Sequence, residues 1–593
     1  VMDEFVSNIS TLNPDTWATN EEVYKEQLLN LPNWSQISLL NCTPSHSLPD
    51  GSLVRFRGLI QDMHNPEFYF TKQEVTNTLT NEVTLRSGKY RDTCSFLPHE
   101  KITKTDMRYV SQRHTFVVIS IPGISEWAVK EEERQNRPYH LDQPNTTKRL
   151  NASFKRSHEE CAEDDKMDTG AEEDHTKEIK TSQNVEEKPL AVSREHLLNF
   201  PLPDVSGQTC LIKIYQESEL KLNDLVEVVG FLSVHPSLSG EFHPKDNLFV
   251  NLETEEEFIT HNPPPSLIPR IHVIHYKKLR HCNPLIVDPL SLKKASETRE
   301  HLMKVLTELL LGDKLAAEFF LCYLISHVYL REDALTVGKI CLNICNIPME
   351  KCPNYVEKIY EILKLICTQS YYLPLTVENL NTLTFVPKKD VQCNRLTSGI
   401  LQLSRGTHLV LDETKMLPGK LDSAGLTNMS ALAKMIKLQK IDYGYEFFFM
   451  NMDSDIPVLI LSEGKSLLPS DIFIPLKPEE SNFAIFDATI EAVRHYLKED
   501  ILNDIRVYIT SLKYNKYIIT ENIEYVENAY VEMRLHSKET SEDDLHRLLV
   551  LSRLIGLSRG MDTLTHECWN IAKDLDKQRM QRVQERASSF NEI

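Results

Sequence analysis

The stretch Ser398-Gly-Ile-Leu-Gln-Leu-Ser-Arg-Gly-Thr-His-Leu-Val-Leu-Asp412-Glu413-Thr-Lys-Met416 joins a continuous apolar run to two adjacent carboxylates. The run Leu409–Leu411 is typical of a strand that is buried inside a parallel sheet. At the end of such a strand, an aspartate can hold Mg²⁺ while the next glutamate orients a water molecule against a γ-phosphate. Asp412 and Glu413 are therefore a candidate pair for nucleotide hydrolysis, on the condition that a phosphate-binding loop accompanies them.

The candidate phosphate-binding segment lies upstream, where an apolar strand is followed by a short turn and then by a helix. A phosphate cradle needs glycines, whose backbone N–H groups can approach the phosphates, and a Lys-Ser/Thr pair. The turn Asn346–Pro353 contains no glycine, and Pro348 and Pro353 lack an N–H donor. Lys351 is followed by Cys352, whose thiol is a poor Mg²⁺ ligand. The sequence therefore predicts a degenerate nucleotide-binding fold that uses no cofactor.

The composition narrows the class of protein. The chain has 593 residues, a formal net charge of −20 and 12 cysteines, and a rule of about 150 residues per domain allows three or four domains. No apolar run approaches the ~20 residues that a membrane span needs, and no secretory leader precedes the first residues, so we expect a soluble protein. Cys341, Cys345 and Cys352 cluster without a histidine or a fourth thiol at ligand spacing, so reduced thiols are expected rather than a metal site.

Two regions of strand pattern flank a polar insertion. Residues 51–130 and 195–262 together predict a small β-barrel of the oligonucleotide-binding type. Its predicted strands are Ser52–Gln61, Glu67–Phe70, Val83–Leu85, Arg113–Ile121, Gln208–Tyr215 and Lys221–Val234. Residues 1–50 are predicted to be helical, as a docking helix or as a cap. The apolar side of that segment is formed by Trp17, Tyr24, Leu28, Leu29 and Leu31.

Binding of nucleic acid by this β-domain would need a basic groove interleaved with aromatic side chains. Some charge is offered by Arg55, Arg57, Arg86, Lys89 and Arg91. The acidic insertion and the overall charge argue against such binding, since DNA binding rests on the neutralisation of phosphates. A protein partner is therefore expected, and direct binding of nucleic acid is not.

Residues 131–194 have hardly any apolar periodicity and are predicted to be a disordered acidic linker. The linker contains a candidate nuclear-import signal, for which a few solvated basic residues are an equal alternative. Its members are Lys148, Arg149, Lys155 and Arg156. Ser157 precedes His158-Glu159-Glu160 and is a candidate acceptor for an acid-directed kinase.

The second half of the chain is predicted to form an α/β domain at residues 263–480 and a helical, lid-like domain at residues 481–593. The buried strand Asp455–Leu461 ends at Ser462-Glu463, where a working ATPase of the AAA+ type carries a polar amide. The predicted helices of the last domain are Asn482–Glu499, Ile505–Tyr517, Ile523–Leu535, Asp543–Leu557 and a final helix through Arg586.

Several long strings, in order along the chain, resemble the family of mini-chromosome maintenance complex-binding proteins. They are Leu53–Met63 with Asn65–Tyr69, Phe200–Pro203, Pro269–Val273, Leu311–Glu318 and Ser462–Pro469. That family is itself similar to the subunits of the replicative mini-chromosome maintenance helicase. The similarity is visible in Leu409–Met416, Arg506–Ile509, Ala529–Arg534 and Asp544–Ser552.

The chain departs from the helicase pattern at three catalytic elements. Asn346–Pro353 replaces the glycine-rich loop, Ser462 or Glu463 replaces the strand-end amide, and Val550 replaces the lid arginine. Arg547 and Arg553 lie near the last position without matching it. Since phosphoryl transfer depends on positioning and charge stabilisation, we expect no enzymatic turnover. Asp412 and Glu413 would then cap a helix or make an interface contact.

The resemblance implies a non-catalytic adaptor of the helicase subunits that acts in helicase assembly, protection or unloading from chromatin. It also implies a nuclear location, indirect association with chromatin and a role in sister-chromatid cohesion. Two alternatives remain open from the residues. One is a slow ATPase that uses Asp412 and Glu413, and the other is a barrel that binds single-stranded nucleic acid.

Overall fold

The structure of this chain is a computed structural model. Its described part contains fifteen helices and several sheets. The described residues are 12–31, 34–92, 94, 97–102, 106–136, 193–234, 255–286, 294–332, 335–518, 524–536 and 541–591. The mixed α/β class is therefore confirmed. None of the described helices combines the length and the apolar content that crossing a membrane requires.

The strands are β1 (Ser38–Leu39), β2 (Leu53–Met63), β3 (Glu67–Phe70), β4 (Lys72–Asn77), β5 (Val83–Ser87), β6 (Glu100–Ile102), β7 (Val110–Ile119), β8 (Thr209–Ile214), β9 (Leu225–Ser233), β10 (Arg270–Lys278), β11 (Leu330–Glu332), β12 (Leu335–Val337), β13 (Cys341–Cys345), β14 (Ser370–Pro374), β15 (Lys388–Asp390), β16 (Arg395–Thr397), β17 (His408–Asp412), β18 (Lys440–Tyr445), β19 (Phe448–Asp453), β20 (Val458–Leu461) and β21 (Ile472–Pro475).

The helices are α1 (Pro14–Thr19), α2 (Glu21–Leu29), α3 (Glu126–Gln135), α4 (Arg194–Leu198), α5 (Glu255–His261), α6 (Ala295–Leu309), α7 (Lys314–Ile325), α8 (Tyr355–Ile366), α9 (Val377–Thr382), α10 (Ser423–Leu438), α11 (Phe486–Tyr496), α12 (Glu499–Tyr514), α13 (Glu524–His536), α14 (Glu542–Ser558) and α15 (His566–Asn591).

The first sheet has the order β1-β2-β9-β10-β8-β7-β3, and β2 also pairs with β7. The strands β2, β9, β10, β8 and β7 therefore form a continuous cycle of pairings, in which only β8 and β10 run parallel. Alternate residues of these strands point into one apolar core that includes Val228, Ile212 and Phe116. The strand β10 lies beyond the predicted boundary at residue 262, so this sheet extends past that boundary.

The described part of the predicted helical segment 1–50 contains two short helices and a strand, and it caps this sheet. Asn13 caps α1 with its side chain, and α2 ends at Leu29. The chain then turns and forms β1, which pairs in parallel with β2. Trp17 and Leu28 are fully buried in a cluster with Phe231 of β9. Pro32 disfavours a longer helix, because the residue before a proline avoids the helical conformation.

The second sheet consists of five parallel strands in the order β14-β17-β20-β13-β21. Both of its faces are covered, which explains the continuous apolar run of the sequence. Val410 and Leu459 face the cluster that contains α6, α7 and α8. Leu409 and Leu411 face the opposite cluster, which contains α10 and β18. Because all five strands run in the same direction, their carboxyl ends lie along one edge of the sheet.

Smaller sheets surround these two, with the orders β16-β15-β18-β19, β5-β4-β6 and β11-β12. The last region is helical as predicted, although the predicted helix Asn482–Glu499 is divided. Helix α11 ends at Tyr496 and α12 begins at Glu499, because Lys498 has an extended backbone. The described residues of Val1–Asn136 and Arg194–Ile593 belong to one compact unit.

Buried and partly buried hydrogen bonds join the first sheet to the α/β region. The Asp62 carboxylate at the end of β2 accepts the Leu396 N–H at 2.7 Å. Asn199 donates its amide to the Leu396 carbonyl at 2.6 Å and accepts the Ser398 N–H at 2.9 Å. These bonds connect residues that are far apart in the sequence, so they fix the two regions to each other.

The N-terminal cap makes a testable contribution to stability. Replacing Trp17 by alanine removes a fully buried ring that stacks on Tyr24 and contacts Phe231. We expect this variant to lose about 3–5 kcal/mol of unfolding free energy. Leu29→Ala, at a side chain that is 51% exposed, should change it by less than about 0.5 kcal/mol. Urea unfolding followed by circular dichroism measures both, and equal losses would contradict burial of the cap.

Candidate functional site

Asp412 lies at the carboxyl end of β17, between its neighbours β14 and β20, and is fully buried. One carboxylate oxygen accepts the Tyr372 hydroxyl at 2.6 Å. The other accepts both the N–H and the hydroxyl of Thr414, at 2.9 and 2.6 Å. The side chain therefore caps the short 3₁₀ turn Glu413–Lys415. Each carboxylate oxygen is engaged by the protein itself.

Glu413 points towards the segment that follows β20. Its carboxylate accepts the Ser466 hydroxyl at 2.7 Å. Burial raises the pKa of Glu413, while hydrogen bonds from Ser466 and from the backbone of Leu467 and Leu468 oppose this shift. The predicted pair is thus at the expected edge of the parallel sheet, and each of its members is bonded to a different neighbour.

Backbone N–H groups of the turn after β13 donate hydrogen bonds to carbonyls of this chain. The Asn346 N–H donates to the Glu463 carbonyl at 3.1 Å, and the Ile347 N–H donates to the Ser462 carbonyl at 3.2 Å. Asn346 has a φ of +65°, which turns the chain sharply without a glycine. The strand end that would face a phosphate is therefore tied to the segment after β20.

The rest of this turn is closed on itself. The N–H groups of Lys351 and Cys352 both donate to the Pro348 carbonyl, at 3.2 and 2.9 Å. The Lys351 ammonium lies 4.5 Å from the centre of the Phe483 ring. The Lys351 side chain thus contacts an aromatic ring at the start of the helical region.

The last helix, α15, covers this edge with arginines. Arg586 contacts the Cys345 thiol and donates to the Glu463 carbonyl at 3.3 Å. Arg582 pairs with the buried Asp313 at 2.6 Å, and Arg579 donates to the Phe473 carbonyl at 3.2 Å. These arginines are not among the site residues predicted from the sequence. Their spacing of three and then four residues, which places them on one helical face, was the available signal.

The other residues of the predicted catalytic pattern have different contacts. Ser462 is buried and donates to the side chain of Asn343 at 3.1 Å. Val550 is buried in the main apolar core. Arg547 pairs with Asp544 at 2.8 Å, and the Arg553 guanidinium lies 4.3 Å from the centre of the Tyr329 ring. The contacts described for these four side chains are with residues other than Asp412.

The five basic residues considered for nucleic-acid binding are all paired with carboxylates. The pairs are Arg55 with Glu227 (2.7 Å), Arg57 with Glu132 and Glu227 (3.3 Å to the latter), Arg86 with Glu100 (2.7 Å), Lys89 with Glu21 (2.8 Å) and Arg91 with Asp15 (2.9 Å). Their positive charge is therefore balanced locally.

A buried charge network joins Asp92, in the loop after β5, to strands β8 and β10 of the first sheet. Asp92 is within 3.1 Å of the Lys213 ammonium and 3.3 Å of the Arg270 guanidinium. Burial raises the pKa of Asp92, but Lys213, His272 and Arg270 hold it well below its ordinary value. No local pattern in the sequence indicates this network, because its members come from three separate segments: the loop at Asp92, β8 and β10.

The remaining site predictions have the following positions. Lys148, Arg149, Lys155, Arg156 and Ser157 lie outside the described residues, and so does the linker from 137 to 192. Cys341, Cys345 and Cys352 are buried. Within the described ranges, no group of three or more His, Cys, Asp or Glu side chains is arranged to hold a metal ion.

The fold and site define a mixed α/β protein in which a parallel sheet ends in a carboxylate pair that the chain itself engages. Residues 24–583 match the family model described as "Mini-chromosome maintenance replisome factor". The chain therefore belongs to this family, and the resemblance is confirmed.

Individual relatives agree with the family match. A "Mini-chromosome maintenance complex-binding protein" of Drosophila melanogaster is 38% identical, over 94% of this chain and 94% of that protein. Proteins of the same name from Gallus gallus and Homo sapiens are 37% and 36% identical, each over 97% of this chain and 95% of the relative.

The environment of Glu413 predicts a dependence of stability on pH. A carboxyl group whose pKa is raised by folding stabilises the protein most below its ordinary pKa of about 4.5, and this contribution is lost as the pH rises through the folded value. Glu413→Gln keeps an acceptor for Ser466 but cannot ionise. We therefore expect the unfolding free energy of the variant, relative to the parent, to increase between pH 4 and pH 7. Urea unfolding at several pH values tests this, and a constant difference would contradict it.

Proposed function

We propose that this chain is a non-catalytic adaptor that binds subunits of the mini-chromosome maintenance complex. The name of its relatives, which describes them as binding proteins of that complex, supports the choice of partner. The observation that carries the non-catalytic part is the turn after β13, where the N–H groups of Asn346 and Ile347 already donate to the chain's own carbonyls. A nucleotide phosphate would have to displace these bonds without a glycine or a Lys-Ser/Thr pair to replace them.

The strand pairings support a finer description of the fold. A cycle of five strands with one parallel pair supports a barrel of the oligonucleotide-binding type at β2, β7, β8, β9 and β10. The order of the parallel sheet, with Asp412 and Glu413 at the end of β17, supports a degenerate AAA+-like domain. Helices α11 to α15 would then be its lid. In this description the adaptor offers the surfaces of a helicase subunit without its catalytic groups.

Charge supports a protein partner over nucleic acid. Arg55, Arg57, Arg86, Lys89 and Arg91 are paired with carboxylates, so they offer few unbalanced charges to phosphates. The net charge of −20 has the same effect over longer distances. We therefore propose that this chain associates with chromatin indirectly, through the helicase subunits, and does not itself bind nucleic acid.

The cellular role follows from the family resemblance. The adaptor would act in helicase assembly, in its protection or in its unloading from chromatin during DNA replication, and so support sister-chromatid cohesion and mitosis. A nuclear location is part of this proposal, with Lys148, Arg149, Lys155 and Arg156 as the import signal. Phosphorylation of Ser157 would add roughly −1.5 to −2 charges next to that signal.

The adaptor proposal predicts binding that does not depend on nucleotide. Purified helicase subunits should be captured equally by this chain without nucleotide, with ATP, and by the Asp412→Asn/Glu413→Gln variant. In Asp412→Asn the amide oxygen can accept from Thr414 and the amide nitrogen can donate to the Tyr372 hydroxyl oxygen, while Glu413→Gln keeps an acceptor for Ser466, so the fold should be retained. A pull-down with quantified recovery measures the effect. Capture that needs both ATP and the two carboxylates would overturn the non-catalytic part of the proposal.

A slow ATPase is the second candidate, and it is favoured by the position of Asp412 and Glu413 at the end of a central parallel strand. If it operates, Glu413→Gln should eliminate the release of phosphate from ATP. Under the adaptor proposal, the parent and the variant give the same background rate. Rates measured with Mg²⁺-ATP on carefully matched preparations separate the two candidates.

A further inference from the structure

The hairpin formed by β18 and β19 ends in an exposed aromatic cluster. Phe447, Phe448 and Phe449 are 88%, 56% and 63% exposed, and Met450 is 41% exposed. We call these four consecutive residues the aromatic tip. Contiguous apolar patches on soluble proteins are uncommon and mark sites of interaction.

The aromatic tip is presented on both faces of the hairpin. Phe448 pairs with Tyr445 across the hairpin, and their rings stack with centroids 4.9 Å apart. Phe449 pairs with Gly444 and lies on the opposite face, because neighbouring residues of a strand alternate. Phe447 is at the turn itself. A flat partner would cover only one of these faces, whereas a concave pocket can enclose all three phenylalanines.

The strand that carries the tip is also an unprotected edge. β19 is the last strand of the order β16-β15-β18-β19. Edge strands are usually blunted by lysine, proline or a bulge. β19 contains neither lysine nor proline, and its pairing with β18 continues from Phe448 to Asp453 without a shift of register. No other strand of the described ranges pairs with the outer side of β19, so backbone groups of this edge are available for contact with a partner.

Charge around the tip selects the class of partner. The hairpin 440–453, which comprises β18, β19 and their turn, contains three acidic residues and one basic residue, Lys440, which lies opposite Asp453 at the end far from the tip. Asp442 pairs with Lys434 at 2.6 Å, Asp453 lies 3.6 Å from Arg331, and Glu446 is exposed next to the tip. Aromatic residues that bind nucleic acid or an anionic membrane work beside positive charges. A protein pocket that is apolar inside and basic at its rim is the complementary surface.

We propose that the aromatic tip inserts into an apolar pocket with a basic rim on a subunit of the mini-chromosome maintenance complex. This inference rests on the proposed function and names the surface that performs it. The three rings act as anchors that are buried on binding, and Glu446 faces the basic rim.

The experiment uses the full chain and purified helicase subunits. Phe447→Ser/Phe448→Ser/Phe449→Ser should weaken binding at least ~30-fold in titration calorimetry, since aromatic anchors dominate such interfaces. Glu446→Lys should weaken it by about tenfold at low salt and less at high salt. The matched control replaces three exposed apolar residues of another hairpin, Leu79→Ser/Val83→Ser/Leu85→Ser, and should leave the affinity unchanged. Circular dichroism and thermal unfolding test whether each variant is folded.

The outcomes separate this inference from the proposed function. If the parent binds a subunit and the triple phenylalanine variant binds equally well, the tip is not the surface and the adaptor function stands. If the parent binds no subunit, both proposals fail. An equal loss in the control variant would overturn the assignment to the tip. So would phenylalanine-dependent binding to single-stranded DNA, to phosphatidylserine vesicles or to a second copy of this chain in place of a subunit.

Discussion

The backbone hydrogen bonds after β13 are the constraint on which the site depends. A backbone N–H group that leaves a buried strand must find an acceptor, because an unpaired one is costly. In a nucleotide-binding protein, phosphate oxygens can supply that acceptor. Here the carbonyls of Ser462 and Glu463 supply it, and Arg586 of α15 donates to the same Glu463 carbonyl. One set of bonds thus ties the turn, the segment after β20 and the last helix together.

The first sheet is fixed to the α/β region by the same kind of bond. Asp62 and Leu396 are 334 residues apart in the sequence, and their hydrogen bond is buried. Burial raises the pKa of Asp62, while the N–H groups of Leu396 and Met63 and nearby positive charges oppose this shift. Removing such a partner would leave a buried polar group unsatisfied. Motion of one region against the other is therefore opposed, and an adaptor built this way presents surfaces in a fixed arrangement.

Local pattern was enough to predict several elements, because alternation and helical period are properties of neighbouring residues. The strand Glu67–Phe70 and the apolar run that became β17 have the positions that the sequence predicts. Pairing between distant segments was not predictable in this way. β10 joins the first sheet from beyond Pro263–Pro265, since its partners β8 and β9 are chosen by packing and not by sequence proximity. The helices α1 and α2 are short because turn residues interrupt an apparently periodic stretch.

The candidate site was predicted in part for the same reason. A strand and the residues at its end are local, so Asp412 and Glu413 were found at the correct edge. Their partners Tyr372 and Ser466 come from other strands and loops, and no spacing in the sequence indicates them.

The aromatic tip is exposed although the described part of the chain buries other large rings. The fold buries large rings efficiently, as Trp17, Phe231 and Tyr443 show. Phe447, Phe448 and Phe449 instead lie outside the core that contains Tyr443, on a hairpin whose outer strand has no further neighbour among the described residues. Leaving three phenylalanines in water forgoes the free energy of burying them, about 1.5–3 kcal/mol for each side chain. That stabilisation is recovered when a partner covers the tip.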